Sequence, residues 1–513
     1  MMAHLPILPV LIPLCAAVAL LLATGASIAF KRALSLLAIA ALVAAAVAQL
    51  VMADDGGIRV YRLGDWPAPY GIVLMLDRLA ALMVALTSLL AVPVLLAAMS
   101  GTDTRGRHFH AFLQFQLMGL NGAFLTGDLF NLFVFFEILL LASYGLLVHG
   151  GGLRRARAGI AYVVLNLSGS ALFLIALGLL YGFLGTLNMV DFGVALQKVA
   201  PADQGVVAVM CVLLVSVFLL KAAVLPIGFW LPSVYSAATL PVAALFVIMT
   251  KVGVYALLRV VTIGLLAAPF TAGLLQPWLT WLALGTIAVG SAGMLAAGSL
   301  SVVIANIVIV SGGTLLLAVA EPSAASISAA LYYLVQTTVV TGALFVFADH
   351  LSRQRGEAAD GFGDGPRLAS YTNLGLAYLV LAVAACGAPP LSGFLGKIMM
   401  MQAMQPSLHP VLVWTALVLS GFVAALVLAR AASVFFWEPG APGIEERPDV
   451  PYRPAWGATA AIVIMLIAVL TVSFAAAPVS AYARAAAEQM LARDAYVSAV
   501  IGDPARIDRE LRP

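Results

Sequence analysis

Apolar residues run along this chain in stretches long enough to cross a bilayer, and polar residues collect in the short intervals between them. A crossing helix needs ~20 mostly apolar residues. Applied along the sequence, that window predicts an all-α polytopic membrane protein with about fourteen spans, near 5–25, 33–53, 73–99, 109–126, 129–149, 157–185, 206–238, 241–266, 277–297, 301–320, 326–349, 372–404, 410–437 and 455–477. The first of these starts without the basic residues of a signal peptide and is expected to stay in place as a span.

Two spans are interrupted. In "LLKAAVLPIGFWLPSVY" the breaks fall at Pro226 and Pro232, and in "CGAPPLSGFLGKIMM" at Pro389 and Pro390, flanked by Gly387 and Gly393. Proline removes a donor and frees a carbonyl, which a membrane tolerates only where protein or water satisfies it. Broken helices at matching positions of two halves mark a repeated transporter fold with its ion path at the break. The spacing predicts two inverted five-helix repeats, spans 4–8 and 9–13, with spans 7 and 12 broken. The expected divisions are residues 1–108 (spans 1–3), 109–266 (first repeat), 277–437 (second repeat) and 455–513 (last span and an amphipathic tail).

Composition agrees: 63% of residues are hydrophobic and 10% charged, with a mean hydropathy of +1.08. Soluble domains carry roughly a quarter charged residues. A net charge of +3 is too small to suggest nucleic-acid binding. The three cysteines lie in apolar runs without metal-site spacing, so no metal or cofactor is predicted. Basic residues gather in alternate loops, at Lys31 and Arg32, Arg105 and Arg107, Arg154 to Arg157, Arg353, Arg355 and Arg367, and Arg447 and Arg453. The positive-inside rule puts those loops in the cytoplasm and both termini outside. The arginines of the tail, from Arg484 to Arg512, oppose that placement, and a short amphipathic surface helix accounts for them.

Against this background the intramembrane charges stand out. Glu137 lies in the middle of "LFNLFVFFEILLLASYGLL", Lys221 precedes the first break, Lys251 lies in span 8, and Lys397 follows the second break. A lone membrane lysine can snorkel or form a fixed ion pair. These three lie away from the span ends, and two adjoin breaks. Burial lowers a lysine's pKa and a nearby carboxylate raises it, so a Glu–Lys pair can switch between holding and releasing a proton. The expectation is that Glu137 pairs with Lys221 and that Lys251 and Lys397 continue a wet line across the membrane.

A second set, Ser143, Tyr144, Tyr235, Tyr332, Tyr333, Gln336, Thr337 and Thr341, can line a water path, although such residues also join helices. Asp128 suits a helix cap. Arg259 reads as an interface anchor, Trp66, Trp230, Trp278, Trp437 and Trp456 as an aromatic belt, and the histidines as loop-edge residues without a buried relay.

The segment "KAAVLPIGFWLPSVYSAATLPVAALFVIMTKVGVY" resembles the signature of the antiporter-like subunits shared by respiratory complex I, membrane-bound hydrogenases and Mrp-type cation/proton antiporters. "DLFNLFVFFEILLLASYGLL" is similar to the family's glutamate span and "PPLSGFLGK" to its broken twelfth span. The resemblance implies proton-pathway roles for Glu137, Lys221, Lys251 and Lys397. Gly228 and Tyr235 stand where histidines are common, and Gln336 and Thr341 where the family often has histidine and lysine, which makes the span-11 step passive. Phe136 in place of tryptophan, Thr341, and a chain that stops soon after span 14 look most like the D subunit of the Mrp-type antiporters. That protein works in a hetero-oligomer at the bacterial cell membrane, exchanging Na⁺ or K⁺ for H⁺. The alternatives are a proton-pumping subunit of a redox complex and a membrane scaffold. No nucleophile–base constellation or phosphate loop points to an enzyme.

Overall fold

The computed structural model describes residues 2–366, 368, 371–437 and 455–502; Arg367, Arg447, Arg453, Arg506, Arg509 and Arg512 of the charge pattern lie outside the described residues. Helices α1 (Leu8–Leu22) and α2 (Ile28–Ala53) lead into a short antiparallel hairpin, β1 (Arg59–Arg62) with β2 (Val73–Leu76), Arg59 opposite Leu76 and Arg62 opposite Val73. The sequence window placed the start of span 3 at residue 73. The helix instead begins at α3 (Arg78–Ala98), because the Asp77 carboxylate accepts the Ala80 amide at 2.8 Å and caps the first turn. The first half continues with α4 (Phe109–Leu125), α5 (Leu129–Leu147), α6 (Leu153–Leu184) and the short α7 (Met189–Leu196). Asp128 caps α5 by accepting the Asn131 amide at 2.7 Å.

Both expected breaks are present. The first separates α8 (Gln204–Lys221) from α9 (Trp230–Ala237), and α10 (Leu240–Phe246) and α11 (Met249–Arg259) follow. After the one-turn α12 (Pro269–Ala272) come α13 (Gln276–Leu295), α14 (Leu300–Ala320) and α15 (Ala324–Arg355). The second break divides α16 (Tyr371–Cys386) from α17 (Ser392–Ala403), and α18 (Pro410–Ala432) and α19 (Trp456–Phe474) complete the bundle. Among the described residues twelve helical runs are long and apolar enough to cross a membrane; α16 is a shorter apolar helix, and α4 and the α16–α17 pair stand at the two further expected positions.

Burial separates the centre from the rim. The most apolar windows of α14 and α15 are 94% and 100% buried, against 39% in α2, α6 and α13, whose outer faces carry exposed large apolar side chains. A helix apolar all round belongs inside, and one with a bare apolar face belongs against lipid. The tail forms α20 (Ala476–Leu491) and α21 (Arg493–Val500). Its apolar face, including Ala483, Ala486, Ala487 and Met490, is buried on α15 and α3, while Arg484 and Glu488 point outward. The apolar face of α20 thus covers protein, whereas the sequence reading makes the tail a surface helix.

Candidate proton path

Lys221 is the last residue of α8 and only 5% exposed. At the break its ammonium turns toward α6, donating to Ser170 Oγ at 3.4 Å, Asn166 Oδ1 at 3.3 Å and the Asn166 carbonyl at 3.5 Å. Asn166 and Ser170 are one helical turn apart and so share a face. Ser170 in turn donates to the Glu137 carboxylate of α5. The Phe136 ring lies 5.8 Å from the Lys221 nitrogen, within cation–π range. No direct ion pair joins Glu137 and Lys221 among the described residues, so the expected contact is made through a serine hydroxyl. Sequence reasoning missed Asn166 and Ser170. Their signal was polar residues four apart inside the apolar run of α6.

Across the break lies Lys251 on α11, wholly buried, its ammonium donating to Ser311 Oγ of α14 at 2.5 Å. Gly253 lets α11 close on the end of α8, since a Cβ there would stand 2.5 Å from the Ala222 nitrogen just beyond Lys221. One turn along α14 from Ser311 is Thr314, which faces Tyr333 of α15, and Tyr333 also faces Thr337. Gln336, on the same face of α15, donates to the Ala384 carbonyl at 3.1 Å. The Ala388 amide, which would reach that carbonyl in a continuing helix, bonds to the Val383 carbonyl at 3.1 Å instead, so the glutamine satisfies a group left open where the helix ends. Lys397 of α17 reaches back to the Cys386 carbonyl at 3.0 Å. Gly421 makes room for it, since a Cβ there would lie 2.5 Å from the Lys397 nitrogen. At the first break the Leu225 amide donates to Thr286 Oγ1 of α13 at 3.1 Å, so the second half of the chain supports the break in the first.

The remaining candidates lie elsewhere. Ser143 donates to the Leu140 carbonyl and meets the Tyr162 hydroxyl at 3.0 Å, and the Tyr144 ring stands edge-on to Tyr162 with its hydroxyl buried and unpartnered. Tyr235 donates to the Phe246 carbonyl at 2.5 Å, and Thr341 turns back to the Thr337 carbonyl of its own helix at 2.6 Å. Tyr332 donates to the Val472 carbonyl at 3.3 Å.

Three sequence readings are corrected. Arg259 is fully buried, not at an interface: its guanidinium grips both oxygens of the buried Asp77, with the Tyr255 and Tyr496 hydroxyls beside it, because a guanidinium enclosed by protein needs a carboxylate and full hydrogen bonding. Trp230 leaves the aromatic belt and packs on Tyr162, ring centres 5.1 Å apart, 6% exposed. His110, His149 and His350 are buried rather than lying at open loop edges. His110 meets Ser35 Oγ at 2.9 Å and Asp103 at 3.3 Å, and Arg32 also holds Asp103. Burial resists ionisation of Asp103, but the hydrogen bonds of His110 and Arg32 outweigh it and bring its pKa down to about 2.

Comparison with known proteins gives the family of this fold. Residues 126–424 match the transmembrane family described as NADH:quinone oxidoreductase/Mrp antiporter. The D subunit of a probable K(+)/H(+) antiporter from Rhizobium meliloti (strain 1021) is 37% identical over 98% of both chains. The D subunit of the Na(+)/H(+) antiporter from Bacillus subtilis (strain 168) is 36% identical over 96% of this chain and 99% of its own. A chain of the Mrp complex from Dietzia sp. DQ12-45-1b superposes with a TM-score of 0.85 over 98% of this chain and 99% of its own, at 24% identity. A chain of respiratory complex I from Thermus thermophilus gives 0.77 over 96% and 100%, also at 24% identity, a likeness of fold. The chain belongs to the NADH:quinone oxidoreductase/Mrp antiporter transmembrane family, among the D subunits of its antiporter branch.

Proposed function

We propose that this chain is a multi-pass inner-membrane component of an assembled antiporter that exchanges Na⁺ or K⁺ for H⁺, and that it carries the proton. The relatives are named as antiporter subunits, and a chain of like fold comes from a multisubunit Mrp complex. We read fourteen crossings, with α4 and the α16–α17 pair as two of them, divided at 1–108, 109–266, 277–437 and 455–513.

One observation carries the proton reading. The Ser170 hydroxyl receives a hydrogen bond from Lys221 and gives one to Glu137. Donors and acceptors therefore point one way. When the Lys221 ammonium breaks an N–H bond and passes its proton to Ser170 Oγ, the serine releases its own proton to Glu137. The products are a neutral amine and a neutral carboxylic acid, and no net charge is left in the apolar interior. The neutral Lys221 can then take a proton from the Lys251 side. From Lys251 the route runs by Ser311, Thr314, Tyr333 and Thr337 to Gln336 and Lys397; its middle is hydroxyl and amide, so water must carry the proton there.

The test is Lys221→Met in the assembled complex, with cation-dependent proton movement followed in inverted vesicles. Transport should fall to the background of vesicles lacking the complex while assembly persists. Wild-type transport from a fully assembled variant would remove Lys221 from the path.

A further inference from the structure

At the end of the molecule that the positive-inside pattern places in the cytoplasm lies a cavity of about 400 Å³. It opens between the loop after α3, the start of α6, the turn joining α9 to α10 and the end of α15, so both halves of the chain contribute to its wall. Four guanidinium groups line it, Arg105, Arg154, Arg155 and Arg353, against two carboxylates, Asp349 and Asp360.

Both carboxylates are engaged. Asp349 is held by Arg353 at 2.7 Å and lies within electrostatic reach of Arg105, and Asp360 accepts the Ser301 amide at 2.6 Å. Arg155 is anchored to the Ala237 and Gly151 carbonyls, and Arg105 and Arg154 are exposed and make no ion pair among the described residues. Two buried hydroxyls in the wall, Thr239 Oγ1 and Ser352 Oγ, have no hydrogen-bond partner among the described residues, and Thr239 is only 5% exposed. The first turn of α6, a helix of 32 residues, starts at Leu153 behind Gly152 and has no side-chain cap.

The wall therefore offers an excess of positive charge, two idle hydroxyls and uncapped helix amides, while its acids are already occupied. Buried polar groups without partners call for a ligand or water. Water can satisfy a hydroxyl but cannot offset surplus guanidinium charge. A tetrahedral phosphate can do both, accepting from several donors at once and pairing with guanidinium forks. We propose that this cavity is a phosphate-group site, filled either by inorganic phosphate or by the phosphodiester headgroup of an anionic lipid from the cytoplasmic leaflet.

The test uses the purified antiporter complex in phosphate-free buffer. In detergent, its heat stability is titrated with sodium phosphate against sodium chloride of equal ionic strength. In nanodiscs, phosphatidylglycerol mixed into phosphatidylcholine is compared with phosphatidylcholine alone. Saturable stabilisation by phosphate in detergent identifies the free ion; stabilisation only by phosphatidylglycerol identifies the headgroup. Either supports the site provided that the Arg105→Gln/Arg154→Gln variant raises the half-saturating concentration by about ten-fold or more, with Thr239→Val giving a smaller rise. Equal responses to phosphate and chloride together with equal stability in the two discs would overturn it. So would variants that respond as the parent does, or arginine variants whose only effect is release of a neighbouring protein of the complex, which would assign the surface to an acidic protein segment.

Discussion

Two buried pairings of acid and base in this molecule are built in opposite ways. At the junction of α3, α11 and α21 Arg259 and Asp77 touch directly, both fully enclosed, with the Tyr255 and Tyr496 hydroxyls also hydrogen-bonded to the pair. Between α5, α6 and the end of α8, Glu137 and Lys221 are separated by the Ser170 hydroxyl. A guanidinium effectively never gives up its proton, and a carboxylate gripped on both oxygens has nowhere to pass one. An amine and a carboxylate joined through a hydroxyl have a donor at each step. The first arrangement is a clamp that ties α3, α11 and the tail helix α21 together; the second is the one we propose for proton movement.

The largest effect should come from breaking the clamp. Asp77→Ala leaves a buried guanidinium unpaired, which costs about 3–5 kcal/mol, read as a fall in the thermal midpoint and in the amount recovered from membranes. Adding Arg259→Met should recover a large part of it. A double variant as unstable as the single one would mean that the loss comes from packing, not charge.

A smaller effect is expected in acid, at a third pairing, where Asp103 sits between Arg32 and His110. Its pKa near 2 lies below the usual carboxylate value of about 3.9. The unfolded chain therefore binds the proton first as pH falls. The stabilisation is complete above about pH 5, amounts to about 2 kcal/mol, and is lost as pH drops toward 2. Denaturation midpoints across that range should show the loss in the parent and not in Asp103→Asn. Equal acid sensitivity would place its origin elsewhere.

The smallest change in stability, about 1 kcal/mol, is expected for Ser170→Ala, and it sharpens the contrast with Asp77→Ala. Proton-coupled transport in inverted vesicles should nevertheless fall several-fold, while Ser170→Thr, which keeps the hydroxyl, restores much of it. A serine-free variant with the parent's rate would show that water bridges Glu137 and Lys221 unaided.

The spans, the two breaks and the four intramembrane charges were legible because each rests on a local rule: helix length against bilayer thickness, proline against helical hydrogen bonding, charge against hydrocarbon. The hydroxyls of Ser170 and Ser311 were not legible, because serine is common at helix contacts and only the facing helix tells whether it meets an ammonium. Arg259 was misread for a similar reason. Near the end of an apolar run a snorkelling arginine and a buried one look alike, and Asp77, its partner, is 182 residues away in sequence.

What the sequence alone determined is therefore what a single segment must do to lie in a bilayer: where it crosses, where it breaks, and which residues are too polar to be there without a reason. What the tertiary structure decided is which of those polar residues meet. A charge buried in protein is tolerated or mobile according to the atoms a few ångströms away, and those atoms belong to helices that come together only when the bundle is packed.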